Sequence, residues 1–245
     1  MNILDIKNLS KHYKDFIALN SINLSIKKGE VLSIVGESGS GKTTLGKLCN
    51  NLISPTKGEV FFEGKNIFKF SKKEDISFRK KTQFILQNPK STLNPYRDME
   101  WIVKEPMRAH GFGEKEINRR LEELFPVFDL SMDILKQHSA TISGGQGQRI
   151  LILASLLLKP QLLICDEIVS ALDVSVQIKI LNLIKKLQKE EGLTIIFITH
   201  DLSVAEYISD RIVVMENGKI VESGTNVLSS PKEEYTRNLI RASQL

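Results

Sequence analysis

The chain has 245 residues, with 34 Lys plus Arg against 29 Asp plus Glu, a formal charge of +5. Hydrophobic residues make up 41% and charged residues 26%, the composition of a globular protein, which excludes a disordered or fibrous chain. Cys49 and Cys165 form no CxxC pair, which argues against zinc and disulfide frameworks and fits a reducing compartment.

Residues 1–7 carry Asn2 and Asp5 inside an apolar stretch and do not read as a signal peptide. Ile22, Leu24 and Ile26 alternate with polar residues, the period of a half-buried strand. Gly29 turns the chain into residues 31–35, a nearly all-apolar run that predicts a strand buried on both faces, as in a parallel sheet. A helix is expected over 42–52, then a strand at 60–62. The stretch 88–158 reads as a helical insertion, interrupted by Pro89, Pro95, Pro106 and Pro126, with helical spacing at Ile117, Leu121, Leu124 and Phe128. The longest apolar run, 150–158, contains Ser155 and falls short of the roughly 18 residues of a membrane span. Strand-like 162–165 precedes a helix with an apolar stripe at Val174, Ile178, Leu181, Ile184 and Leu187, with Asp173 as N-cap and Gly192 closing it. A buried strand comes next at 194–199, and Asn217-Gly218 predicts a hairpin between 212–215 and 219–222. The pattern is a buried parallel α/β core with a helical insertion and an antiparallel fringe. The basic balance interleaves with acids, as over 185–191, and reads as a solvated surface rather than a nucleic-acid footprint.

Two motifs carry chemistry. Gly36-Glu37-Ser38-Gly39-Ser40-Gly41-Lys42-Thr43, then Thr44, fits G-x-x-x-x-G-K-[ST] between a strand and a helix. Its glycines let the backbone N–H groups turn toward phosphate oxygens, and the helix start adds its positive end. Lys42 can reach the β- and γ-phosphates of a nucleotide, and the Thr43 hydroxyl can ligate Mg²⁺. The second motif is Asp166-Glu167, at the carboxyl end of a buried strand, where open α/β sheets bind ligands. Asp166 can hold Mg²⁺ and Glu167 can deprotonate an attacking water.

Ile142-Ser143-Gly144-Gly145-Gln146, ahead of that acid pair, resembles the L-S-G-G-Q signature of ABC transporter ATP-binding subunits. The resemblance covers nearly the whole chain. It implies a P-loop NTPase (RecA-like) core with an antiparallel β subdomain and a helical insertion carrying the signature. Residues 1–87 and 159–225 would form the core, 88–158 the helical subdomain and 226–245 a tail, within one ATPase domain. It also implies roles for residues that spacing alone does not assign. Tyr13 lies where the family stacks an aromatic on adenine. Gln87 matches the glutamine that senses Mg²⁺ and water, and His200 the histidine at the γ-phosphate. Asp173, ending Ser170-Ala171-Leu172-Asp173, lies at a dimer seam. Two such chains would pack head to tail, each ATP lying between one loop and the other chain's signature. Departures from the pattern are Ile142 for Leu, Ile168-Val169 for Pro-Thr, and Gly147, which is expected to loosen the helix start.

Residues 87–95 resemble Q-x-P-x-x-S-L-N-P, and Pro231 with Tyr235-Thr236-Arg237-Asn238-Leu239 resembles an ending H-P-Y-T-x-x-L in which Glu234 stands for the usual histidine; both are typical of oligopeptide, dipeptide and nickel importers. That resemblance implies two transmembrane permeases, a second ATPase (a paralogue or another copy), and an external solute-binding protein that this chain does not touch. The expected place is the cytoplasmic face of the membrane, peripherally bound, with no nucleic-acid partner. The alternative is a non-transport ATPase of the same superfamily in a soluble assembly.

Overall fold

The structure is a computed structural model describing residues 1–14 and 16–243; of the 87–95 segment, the side chains of Lys90 and Ser91 lie outside the described residues, as do the last two positions of the tail. Along the chain, β1 (Asn2–Tyr13) and β2 (Phe16–Lys27) lead to β3 (Val31–Val35), α1 (Lys42–Cys49), β4 (Lys57–Phe62), β5 (Lys65–Asn66), α2 (Lys72–Lys81) and β6 (Thr82–Ile85). Next come α3 (Pro89–Thr92), α4 (Met99–Ala109), α5 (Glu114–Leu124) and α6 (Gly144–Leu157). The chain then runs through β7 (Leu162–Asp166), α7 (Val174–Glu191), β8 (Thr194–Ile198), α8 (Leu202–Ile208), β9 (Arg211–Glu216), β10 (Lys219–Gly224) and α9 (Glu234–Ser243).

These elements divide into two compact units. The first holds Met1–Phe84, Gln161–Glu167 and Gln188–Leu245; the second holds Ile85–Pro160 and Ile168–Leu187. Residues 168–187, placed with the core from sequence, therefore group with the helical unit.

In the first unit, one sheet has the order β2-β1-β4-β5 and is antiparallel throughout. Leu4 faces Ile26, Ile6 faces Leu24 and Leu9 faces Ile22, so the alternation of β2 is matched by a buried row on β1. The period of β1 is broken at Asn8, whose φ is +48° beside a register shift, and this is why β1 is hard to read from sequence. The other sheet has the order β10-β9-β3-β8-β7-β6. β9, β3, β8 and β7 run parallel, and β10 is antiparallel to β9. Every residue of β3, β7 and β8 is buried, which explains their unbroken apolar runs. Removing such an isoleucine or leucine side chain to alanine typically costs about 2–5 kcal/mol. The β9–β10 turn puts Asn217 and Gly218 at φ +46° and +74°, the two positive values that an Asn-Gly hairpin supplies.

In the second unit, α4 and α5 pack on α6. Val103, Met107, Ile117, Leu121, Ile150 and Leu153 are buried there. The spacing through Phe128 predicts one helix, yet α5 stops at Leu124 and Phe125–Phe128 tightens into a 3-10 turn. Pro126 lacks the N–H that would continue the α-helical ladder. Pro106, expected to interrupt, instead sits inside α4, near its last residue Ala109. Gly147 does not loosen α6: a Cβ there would lie 3.0 Å from Leu93 Cδ1 and 3.3 Å from Pro89 Cβ, so glycine allows tight packing. The helix expected over 42–52 ends at Cys49, because Asn51 takes a left-handed φ of +53°.

Among the described residues no helix is long and apolar enough to cross a membrane. Cys49 and Cys165 are both free and buried, and burial pushes the Cys49 thiol up to about 12.

Candidate functional site

Three parallel strands of the first unit end level with one another. Ile34 of β3 pairs with Ile198 of β8, and Ile198 pairs with Asp166 of β7. The carboxyl ends of these strands, with the segments they lead into, form the site. β3 runs into the glycine loop, β7 ends in Asp166 and Glu167, and β8 leads to Thr199 and His200. The backbone locks these ends together: Thr199 N–H donates to Ile34 O at 3.2 Å, and Glu167 N–H donates to Ile198 O at 2.9 Å.

The loop depends on its glycines at two points. Gly36 has φ +147°, and a Cβ there would collide with the carbonyl oxygen of Met215. Gly41 has φ +102°, and its Cβ would lie 2.5 Å from Ala18 O. Gly41 is also the N-cap of α1 and offers no side-chain cap, so the first turn keeps its N–H groups for another acceptor. Ser38 and Gly39 are exposed at the tip, whereas Ser40 is buried. Lys42 Nζ donates to Gly36 O at 2.8 Å, to Glu37 O at 2.7 Å and to Ser40 Oγ at 3.3 Å. Burial lowers the Lys42 pKa, opposed by the charges of Glu167, Asp166 and Glu37. Gly218 N–H donates to Ser40 O at 3.1 Å, so the β9–β10 turn braces the loop.

Thr43, in the first turn of α1, donates its hydroxyl to Asp166 Oδ1 at 3.1 Å. Asp166 is 2% exposed, and burial raises its pKa; the Thr43 hydrogen bond opposes the shift. Two hard oxygen donors at this distance are the donor chemistry Mg²⁺ takes when phosphates complete its shell. Among the described residues no group of three or more His, Cys, Asp or Glu forms a self-contained metal cage.

Glu167 holds φ +51°, a costly conformation for a non-glycine residue that recurs at functional sites. Its Oε1 lies 3.2 Å from His200 Nδ1, and the His200 side chain is 61% exposed. An Nδ1–H donated to this carboxylate leaves Nε2 pointing elsewhere as the second functional atom of the ring. The strand ends thus bring together Lys42, Thr43, Asp166, Glu167 and His200 in one unit. Tyr13, at the end of β1 in the same unit, is exposed, with Lys11 Nζ 4.9 Å from its ring centroid.

The remaining candidates belong to the second unit. Ser143 caps α6: its Oγ accepts from Gln146 N–H at 3.2 Å while Gln146 Oε1 accepts from Ser143 N–H at 2.9 Å. Gly144 and Gly145 come next, with open space around the Gly144 Cβ position. Asp173 Oδ1 accepts from Ser175 Oγ at 2.7 Å and Val176 N–H at 3.0 Å, which lowers its pKa and caps α7 as expected. Gln87 lies exposed between β6 and α3.

A G-x-x-x-x-G-K-T loop, an acid pair at a parallel strand end and a histidine after the neighbouring strand are the arrangement of a P-loop cassette. Residues 19–170 match the family model described as ABC transporter, and the chain belongs to that family. It is 41% identical to the oligopeptide transport ATP-binding protein OppF of Streptococcus mutans, over 98% of this chain and 81% of that one. It is likewise 41% identical to OppF of Bacillus subtilis, over 98% of this chain and 82% of the relative. Among solved structures, the ATP-binding cassette MJ0796, a dimer in a post-hydrolysis state bound to ADP and Pi, superposes with a TM-score of 0.84 at 31% identity, covering 90% of this chain and 97% of that one. The cassette cbiO1 of Clostridium perfringens, part of the ABC transporter complex cbiONQ, gives 0.79 at 29% identity, over 97% of this chain and 94% of its own.

Proposed function

We propose that this ATPase energises a peptide importer, as a peripheral subunit on the cytoplasmic face of the membrane. The observation that carries the chemistry is the convergence of Lys42, Thr43, Asp166, Glu167 and His200 at three level strand ends. The relatives named for oligopeptide transport carry the choice of solute. Gly36, Ser38, Gly39, Ser40, Gly41 and Thr44 supply the loop around the β- and γ-phosphates, with Lys42 neutralising their charge. Tyr13 stacks on the adenine. Mg²⁺, held by Thr43 and Asp166 with Gln87 sensing it, would offset phosphate charge in the transition state. Glu167 takes a proton from the attacking water. His200, oriented through Nδ1 by Glu167, presents its other edge to the γ-phosphate.

The signature residues Ser143, Gly144, Gly145 and Gln146 serve a second nucleotide, across a head-to-tail dimer whose seam includes Asp173. The second ATPase is a paralogue or another copy. Two permeases receive the motion of closure, and an external binding protein selects the solute without touching this chain.

The test is affinity purification of the full chain from gently solubilised native membranes. Two permeases and a second ATPase are expected, with a binding protein that retains short peptides. A binding protein that takes nickel instead would move the assignment to metal import. Recovery solely from the soluble fraction, with metabolic enzymes or nucleic acid, would overturn the importer reading.

A further inference from the structure

The Tyr235-Thr236-Arg237-Asn238-Leu239 ending has no part in the hydrolytic chemistry, yet it reaches the phosphate loop. Tyr235, in the first turn of α9, accepts a hydrogen bond on its hydroxyl from the Glu37 backbone N–H at 3.1 Å, across 198 residues of sequence. The Glu37 N–H and the Gly36 C=O belong to one peptide plane. Its other end accepts from Lys42 Nζ at 2.8 Å. That single plane is therefore held from both sides, at the residue where φ is +147° and where only glycine fits.

The helix carrying Tyr235 is itself firmly seated. Tyr235, Leu239 and Ile240 pack against a buried cluster that includes Val35, the last residue of β3, together with Leu202, Ala205 and Val214. Glu222 of β10 accepts from the N–H groups of Lys232 at 2.8 Å and Glu233 at 3.2 Å, fixing the turn that enters α9. Burial raises the Tyr235 pKa; the hydrogen bond from the Glu37 N–H opposes the shift and the charges of Glu37 and Glu216 add to it, so the phenol is neutral at physiological pH. A neutral phenol accepts from the amide while keeping its own proton.

We infer that Tyr235 is a positioning residue for nucleotide binding: its hydroxyl fixes the Gly36–Glu37 peptide plane and thereby pre-sets both the loop and the lysine that the loop carries. Without that acceptor the plane is tethered at one end alone, and part of the nucleotide's binding free energy goes into ordering it. The effect falls on affinity, because the water, Glu167 and His200 are untouched.

The inference rests on the reading of Gly36–Thr43 as the phosphate loop, so Lys42→Ala is measured alongside. Fluorescent ATP is titrated into the full chain, and melting and ATPase kinetics are recorded on the same preparations. Tyr235→Phe keeps the ring and removes the acceptor. It is expected to weaken nucleotide binding and raise KM by about 3–10-fold, the weight of one hydrogen bond, with kcat unchanged. Its melting temperature should match the wild type. Leu239→Ala trims one half-buried contact of the same helix and keeps the hydroxyl; it should lower the melting temperature while leaving affinity in the folded protein within about twofold of the wild type. In hydrogen exchange, the Glu37 amide should exchange faster in Tyr235→Phe than in either the wild type or Leu239→Ala. An affinity change below about twofold in Tyr235→Phe, or one that Leu239→Ala reproduces, overturns the positioning role. Undiminished binding by Lys42→Ala overturns the phosphate-loop reading instead.

Discussion

The two glycine-rich helix starts of this chain are built on opposite plans. At α1, Gly41 provides no side-chain cap, and the loop before it is forced by strands and a hairpin turn into conformations that glycine alone adopts. At α6, Ser143 and Gln146 satisfy each other's backbone groups in a capping box, and Gly144 stands in open space. The first end has no side-chain cap, the arrangement in which a helix start favours an anion. The second is a finished helix end whose missing side chains leave room for an approach from outside. The helix dipole is common to both; the difference lies in whether the surrounding structure over-determines the loop. The acid side of the first site adds buried charge, since Asp166 and Lys42 both sit where burial works against their ionised forms.

Substitutions separate the two plans. The largest effect is expected from Glu167→Gln, which should keep nucleotide binding and slow hydrolysis by about 10²–10⁴. Turnover near the wild-type rate would remove Glu167 from the role of base. Gly36→Ala comes next: a clash with the Met215 carbonyl and a φ of +147° should cost several kcal/mol, on the order of a severe core defect, in a denaturation series. Gly144→Ala, by contrast, should be neutral or stabilise by about 0.5–1 kcal/mol, because a helical alanine replaces a glycine where nothing is met. A matching loss at both glycines would erase the distinction. Ser143→Arg should leave nucleotide affinity of the isolated chain within about twofold, while ATP-dependent dimerisation, monitored by light scattering, disappears. Dimers persisting in that variant would place the signature elsewhere than at the seam.

The smallest effect concerns pH. Asp166 has a folded pKa above its unfolded one, so its ionisation weakens the fold as pH rises through the interval between the two. Asp166→Asn should therefore melt above the wild type at neutral pH, with the difference closing as pH falls toward the unfolded carboxylate range. A difference independent of pH would mean that the gain comes from packing or hydrogen bonding rather than charge.

Much of the first unit was legible because its signals are local. The buried strands at 31–35, 162–165 and 194–199 are contiguous apolar runs, and the phosphate loop and Asn217-Gly218 turn are contiguous motifs. β1 was not legible, since the irregularity at Asn8 breaks its two-residue period. α2 carries a weak apolar pattern, and its one local signal is the S-x-x-E capping box of Ser71 and Glu74. In the second unit, proline misled in one place and glycine in another: Pro106 lies inside α4, and Gly147 tightens the packing of α6 against Leu93. The Gly147 outcome turns on Leu93 and Pro89, far earlier in the chain. The site roles of Tyr13, Gln87 and His200 are assignable through family resemblance alone, as is the seam role of Asp173, whose capping of α7 is legible locally.

By itself, the sequence determined the parallel core, the G-x-x-x-x-G-K-T loop, the acid pair and the family, because each is written in adjacent residues or in short fixed spacings. The tertiary structure decided that β8 lies between β3 and β7, so that Glu167 meets His200 and Thr43 meets Asp166 across 123 residues. It also decided that a tyrosine near the end of the chain holds the loop near its beginning. Periodicity reports which face of an element is buried. Which elements become neighbours is set by strand order and packing over the whole unit, and the site's hydrogen bonds are consequences of that order.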